Sequence, residues 1–151
     1  MNYWLFKTEP SGYSIDDLKR DKKTLWSGVR SYQARNMLRD EVKKGDVVIF
    51  YHSSCAVPGA VGIAEVTAEG FSDETQFDPQ SHYYDPTAKK ENPRWCVVEV
   101  KFKEKFKNVV SLAVMRTIPE LSDMRLLAPG NRLSLFPISK KHFDIIIKIN
   151  S

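Results

Sequence analysis

The apolar positions of this chain change rhythm along its length, and each change predicts an element. Tyr3 to Thr8 is a mostly apolar run that stops before Pro10 and predicts a strand. Ser14-Ile-Asp-Asp has the form of a capping box with Asp17 at its third helical position, opening a short helix to about Arg20. Thr24 to Ser27 predicts a brief strand. Ser31 is placed to cap a second helix, in which Ala34, Met37, Leu38 and Val42 recur at helical spacing. Lys44-Gly45-Asp46 marks a turn. Val47 to Tyr51 is continuously apolar and predicts a strand buried on both faces. Gly59 to Glu69 is a second β run with small residues that permit close packing.

The second half has a different texture. Phe71 to Pro93 is a long polar loop rich in Asp, Pro, Tyr and Gln, too aromatic for a simple linker. Asp78-Pro79 and Asp85-Pro86 are expected to shape turns. From Trp95 to Lys107 the chain alternates. Cys96, Val98, Val100, Phe102 and Phe106 share one face; Glu99 and Lys101, Lys103, Lys105 and Lys107 share the other. Ser111 to Thr117 predicts a short helix and Arg132 to Ile138 a strand. Ser139 caps a final helix with Phe143, Ile146 and Ile147 inward. Short strands with helices that do not alternate regularly predict an α+β fold around a curled, mostly antiparallel sheet, best described as a small open barrel.

The densest chemistry lies in residues 26–36, Trp-Ser-Gly-Val-Arg-Ser-Tyr-Gln-Ala-Arg-Asn. Trp26 offers a flat apolar face. Ser27 and Gly28 let other groups approach the backbone. Arg30, Gln33, Arg35 and Asn36 carry planar donors suited to phosphates and base edges. A stacking platform beside a basic, amide-rich helix matches what a single nucleobase requires. The bland alternative is a core tryptophan followed by a solvated helix.

Composition bounds the function. The 151 residues, 42% hydrophobic and 28% charged, describe one ordinary globular domain over residues 1–151. A formal charge of +4 is compatible with a phosphate-bearing partner. Cys55 and Cys96 form no metal or redox spacing with the three histidines, so neither metal nor cofactor is expected. A reducing, cytoplasmic setting is expected, or the nucleus in a eukaryote. No apolar run approaches the roughly 20 residues of a membrane span, and no membrane partner is expected. A monomer is expected.

His52-Ser53 and Lys7-Thr8-Glu9 are the places to look for catalysis. Adjacent residues on a strand point to opposite faces, so His52 is poorly placed to activate Ser53. Lys7 and Glu9 share a face and suit the edge of a polar pocket. Tyr51, His52 and Ser53 at a strand end suit ligand hydrogen bonding.

Tyr3-Trp4-Leu5-Phe6-Lys7-Thr8-Glu9-Pro10 with Tyr13-Ser14-Ile15-Asp16-Asp17-Leu18 resembles the opening of EVE-domain proteins. So do the stretch from Trp26 to Asn36, Gly45-Asp46 with Phe50-Tyr51-His52-Ser53, and Gly62-Ile63-Ala64-Glu65-Val66. Thr75-Gln76-Phe77-Asp78-Pro79, Tyr83-Tyr84-Asp85-Pro86, Pro93-Arg94-Trp95 and Arg132-Leu133-Ser134 complete the match, which is in order and covers nearly the whole chain. Ser31 departs from the family, where Asn is usual.

The resemblance implies a PUA-like fold, a curled β-barrel decorated by short helices. It also implies binding of a modified nucleobase, such as a modified cytosine, in DNA or RNA. By block alignment Lys7, Glu9, Trp26, Ser27, Gly28, Val29, Tyr51, His52 and Ser53 would surround the base. Arg30, Tyr32, Gln33, Arg35, Asn36, Arg39 and Lys43 would hold flanking phosphates. The resemblance to ASCH domains keeps a second reading open, a small amidohydrolase of modified nucleosides using Lys7, Thr8 and Glu9. A third is a protein-interaction module with an incidental basic face.

Overall fold

A computed structural model describes residues 1–150. Its elements run β1 (Tyr3–Thr8), α1 (Ile15–Asp21), β2 (Lys23–Leu25), α2 (Tyr32–Asp40), β3 (Val47–His52), β4 (Gly59–Ser72), β5 (Cys96–Ser111), α3 (Leu112–Met115), β6 (Leu135–Ile138) and α4 (Lys140–Asn150). The strands form one sheet in the order β2-β5-β4-β3-β1-β6. Only the β1–β3 pair is parallel. The connection between those two strands carries α1, β2 and α2, as a parallel pair requires a crossover. The sheet is mostly antiparallel, as expected, but it does not close into a barrel, since β2 and β6 remain its two edges.

Continuous apolar runs put β1 and β3 in the middle of this sheet. Trp4, Phe6, Val48 and Phe50 face one core with Ile15 and Leu18 of α1 and Ala34, Met37 and Leu38 of α2. Leu5, Ile49 and Tyr51 face the other, with Met115 of α3 and Ile146 of α4. The two-residue period of a strand sorts neighbours onto opposite layers. Each layer buries its own apolar stripe, the main source of stability.

The predicted caps form. Ser14 accepts from the Asp17 amide at 3.1 Å, and Asp17 accepts from the Ser14 amide at 2.9 Å. Ser31 accepts from Ala34 at 3.4 Å, and Ser139 from His142 at 3.1 Å. Several boundaries differ. β2 stops at Leu25, so Trp26 and Ser27 lie beyond it, although the Trp26 amide still donates to the Val98 carbonyl. β4 and β5 are longer than their alternating cores, and β5 reaches Ser111.

The polar stretch between β4 and β5 is ordered by Gln76, which is fully buried. Its Nε2 donates to the Asp73 and Trp95 carbonyls at 2.7 and 2.9 Å. Its Oε1 accepts from the Arg94 and Trp95 amides, each at 3.1 Å. One side chain thereby ties together both ends of a segment that has only a short 3-10 helix (Glu74–Phe77) and turns of its own. Asp78 and Asp85 accept from the amides of Gln80 and Thr87, so both Asp-Pro pairs do shape turns.

Candidate functional site

Three segments that are distant in sequence converge at the end of β1. They are the residues after β2, the turn after β3 and the residues before β6. The Ser53 amide donates to the Thr8 carbonyl at 2.9 Å, and the Lys7 amide donates to the Ser134 carbonyl at 2.7 Å. Between them opens a cavity of about 790 Å³, within the range of small-ligand sites. Lys7, Glu9, Trp26, Ser27, Gly28, Val29 and Ser53 line it. Tyr13, His82, Tyr83 and Arg132 line it too, and the residue-by-residue reading of the sequence had assigned none of them to a pocket.

Tyr51 and His52 do not line this cavity, contrary to expectation. Tyr51 follows Ile49 onto the opposite layer, where burial raises its phenol pKa to about 12. His52 follows Phe50, but its Nε2 accepts from the Ile15 amide at 3.1 Å. The ring therefore serves as an external cap for α1. Burial lowers its pKa and favours the neutral form that this bond needs.

Trp26 is a floor rather than a free platform. Its ring centroid lies 5.3 Å from that of Phe6 and 5.5 Å from that of Phe50, the latter edge-on. Only 8% of the residue is exposed. The accessible aromatic is Tyr83, 41% exposed. Tyr83 also lines a neighbouring cavity of about 460 Å³, which it shares with Gly28, Arg30 and Trp95. The signal for Tyr83 was present in the Tyr-Tyr-Asp-Pro block and in the aromatic content of the loop.

Arg30 acts as a strut within the protein. Its Nη1 pairs with Asp73 at 3.0 Å, and that carboxylate is almost wholly buried. Nη2 donates to the Tyr83 carbonyl at 2.7 Å and to Thr75 Oγ1 at 3.2 Å, and Nη1 also donates to the Val29 carbonyl at 3.0 Å. Asp73 further accepts from the Gly28 amide at 2.8 Å and from the Thr75 amide at 3.0 Å. Burial works to raise the Asp73 pKa, but the bonds from Thr75, Gly28 and Arg30 outweigh it and hold the carboxyl below its usual range. Arg30 and Asp73 thus fasten the Trp26–Val29 wall to the Tyr83 loop. The Gly28 amide spends its one N–H on this network, while the Val29 carbonyl accepts one bond from it and keeps a second lone pair.

The other expected phosphate ligands sit on α2 and just after it. Tyr32 stacks on Trp95 with centroids 5.1 Å apart, and the Arg35 guanidinium lies 5.1 Å over the Tyr32 ring. Arg35 donates to the Arg94 carbonyl at 2.7 Å and to Asn36 at 2.9 Å, so it is largely structural. Gln33 and Asn36 are exposed. Arg39 pairs with Asp40 at 2.8 Å and Lys43 with Glu69 at 3.5 Å, both on the surface. Such surface pairs are weak and exchange readily for another anion.

Residues 2–149 match the EVE domain family. The chain belongs to that family. Human thymocyte nuclear protein 1 is 36% identical to it over 98% of this chain and 73% of its own length. The crystal structure of human THYN1 protein in complex with 5-methylcytosine-containing DNA superposes with a TM-score of 0.91 at 36% identity, covering 100% of this chain and 98% of that one. A Pseudomonas syringae protein of known crystal structure superposes with a TM-score of 0.95 at 40% identity, covering 99% of each chain.

Proposed function

We propose that this protein binds a modified cytosine in DNA and does no chemistry on it. The observation that carries the proposal is a cavity of about 790 Å³ with an aromatic floor, roomy enough for a base and its sugar, in a chain that superposes over its full length on a relative crystallised with 5-methylcytosine-containing DNA. The base enters between the Trp26 floor and the Tyr83 wall. Lys7, Glu9 and the Ser27 and Ser53 hydroxyls meet its polar edge. Arg39, Lys43, Gln33 and Asn36 on α2 and just after it approach the backbone of the same strand. The vertebrate relatives are named nuclear proteins, which supports a compartment that holds DNA.

A non-catalytic reading is supported by how Thr8 and His52 are engaged. Thr8 Oγ1 donates to the Glu9 carbonyl at 3.4 Å, and the one ring nitrogen of His52 with a proton-accepting lone pair is held by Ile15. General base catalysis needs that lone pair aimed at the nucleophile.

The test compares single-stranded and duplex oligonucleotides carrying cytosine or 5-methylcytosine. One methyl group in an apolar pocket is worth about 1–3 kcal/mol, so preference for the modified base should be roughly tenfold or more. Flipping a base from a duplex costs a few kcal/mol, so the single strand should bind more tightly. Equal affinity for both bases sinks the proposal. Turnover of acylated or alkylated nucleosides that vanishes in Lys7→Ala would replace it with the hydrolase.

A further inference from the structure

A second cavity of about 560 Å³ lies on the other side of the residues that end β1 and follow β3. Lys7, Ser53 and Ser54 line both cavities and form the partition between them. The two-residue period sends Lys7 to the layer of Leu5, where its Nζ lies 5.6 Å from the centroid of the Phe136 ring. Tyr51, Arg116 and Asn131 complete the polar lining.

The charge balance of this cavity is one-sided. Among the described residues no Asp or Glu lines it. Neither Lys7 nor Arg116 has a carboxylate partner among them. Burial lowers the Lys7 pKa, the mark of an ammonium partly withdrawn from water with no counter-charge. The Arg116 charge is felt at the Tyr51 hydroxyl, where it acts against the upward shift due to burial. Asn131 is already used, donating to the Arg125 carbonyl and accepting from the Leu133 amide. That leaves two cations around one space that the hydroxyl-bearing Tyr51, Ser53 and Ser54 also line. Paired cations with hydroxyl donors and no acid select a tetrahedral oxyanion.

We propose that this second cavity is a phosphate site, with Lys7 and Arg116 as its cations, and that it takes the phosphodiester adjoining the nucleotide whose base fills the first cavity. The anion site stands on its own lining; the placement of the strand rests on the base reading above. Lys7 sits on the partition, so one ammonium serves the base edge and its neighbouring phosphate together. That coupling makes the site selective for a nucleotide in a chain over a free base.

Two measurements test it. The first titrates the native protein with inorganic phosphate and follows backbone and arginine side-chain NMR signals. Ser53, Ser54 and Arg116 should shift, and the Ser53 and Ser54 shifts should be lost in Arg116→Gln, a change at an exposed side chain. No shift at these residues at tens of millimolar phosphate overturns the anion site. The second places a single uncharged methylphosphonate at successive linkages around 5-methylcytosine in a single strand. One linkage next to the modified base should cost the native protein about tenfold in affinity and cost Arg116→Gln almost nothing. Arg116→Gln should itself weaken methylated and unmethylated strands by the same factor. A phosphate response with no sensitive linkage overturns the strand placement in favour of a free phosphate ligand. A sensitive linkage in a protein that does not prefer the methylated base supports the phosphate site and overturns the base reading instead.

Discussion

The phenol end of Tyr83 lies over the α-carbon of Gly28 so closely that a β-carbon there would sit 2.6 Å from Tyr83 Cζ. Gly28 also holds φ at +84°, a conformation that side chains disfavour. The missing side chain therefore sets both the path of the Trp26–Val29 wall and the seat of the Tyr83 ring.

Gly28→Ala should accordingly do two separable things. The positive φ should cost about 1–2 kcal/mol of stability. Displacement of Tyr83 should lower affinity for the modified base by about tenfold, since roughly 1.4 kcal/mol of stacking is at stake. Chemical denaturation measures the first and oligonucleotide titration the second. A variant that loses stability and binds unchanged would remove Tyr83 from the site.

Two arginines near α2 should behave differently although both neighbour an aspartate. Arg30→Met leaves the buried Asp73 carboxylate without its cation, and the loss should be about 3 kcal/mol. Arg39→Ala breaks a pair whose two side chains are both more than half exposed, and the denaturation midpoint should stay almost unchanged. In DNA binding the order reverses. Arg39→Ala should lower the slope of affinity against salt by about one unit. An unchanged slope would move the backbone contact elsewhere, with the lysines of β5 as the next place to test.

The contrast between these arginines marks where the sequence stops being readable. The central strands, the helix N-caps and the turns are local and were legible from spacing alone. Arg30 was not, because its partner is 43 positions away and belongs to a polar loop. Gln76 was invisible for the same reason: all four of its bonds go to backbone groups, two of them 19 positions away. Tyr51 was placed beside the base by block alignment, which carries no information on which layer a strand residue faces; its ring belongs to the layer of Leu5 and Ile49 and lines the second cavity instead of the first. Trp26 lines the first cavity, but Phe6 and Phe50 approach it through tertiary packing that no local pattern reveals.

His52 couples the placement of α1 to pH. Its native pKa is lowered by burial, with Asp16 opposing and Lys105 assisting. The folded state therefore binds a proton less readily than the unfolded chain, whose histidine titrates near 6.5. The contribution of His52 to stability is complete above that value and falls as pH drops below it. Protonation would also set an N–H against the Ile15 amide. Histidine NMR should show the His52 ring titrating below 6.5, and His52→Ala should flatten the stability profile between about pH 7 and 5. A native pKa above 6.5 would mean that the Asp16 carboxylate, and not burial, governs the ring.

Trp26 and Tyr83 divide the work of holding a base, and substitution should separate their shares. Trp26 is enclosed by Phe6 and Phe50 and is 8% exposed. Removing it opens the core, so Trp26→Ala should cost about 3–5 kcal/mol and report on folding more than on binding. Trp26→Phe keeps an aromatic floor and should retain the fold while lowering affinity modestly. Tyr83 projects into solvent and packs mainly on Gly28 and near Arg30, whose Cζ lies 5.4 Å from the ring centroid. Tyr83→Ala should leave the denaturation midpoint almost unchanged and lose about 1–3 kcal/mol of binding, the range for one stacked base. Native Trp fluorescence should be quenched by a strand carrying the modified base, and the quenching should need that strand at higher concentration in Tyr83→Ala. The assignment fails if Tyr83→Ala binds like the native protein while Trp26→Phe does not, because the base would then rest on the floor alone.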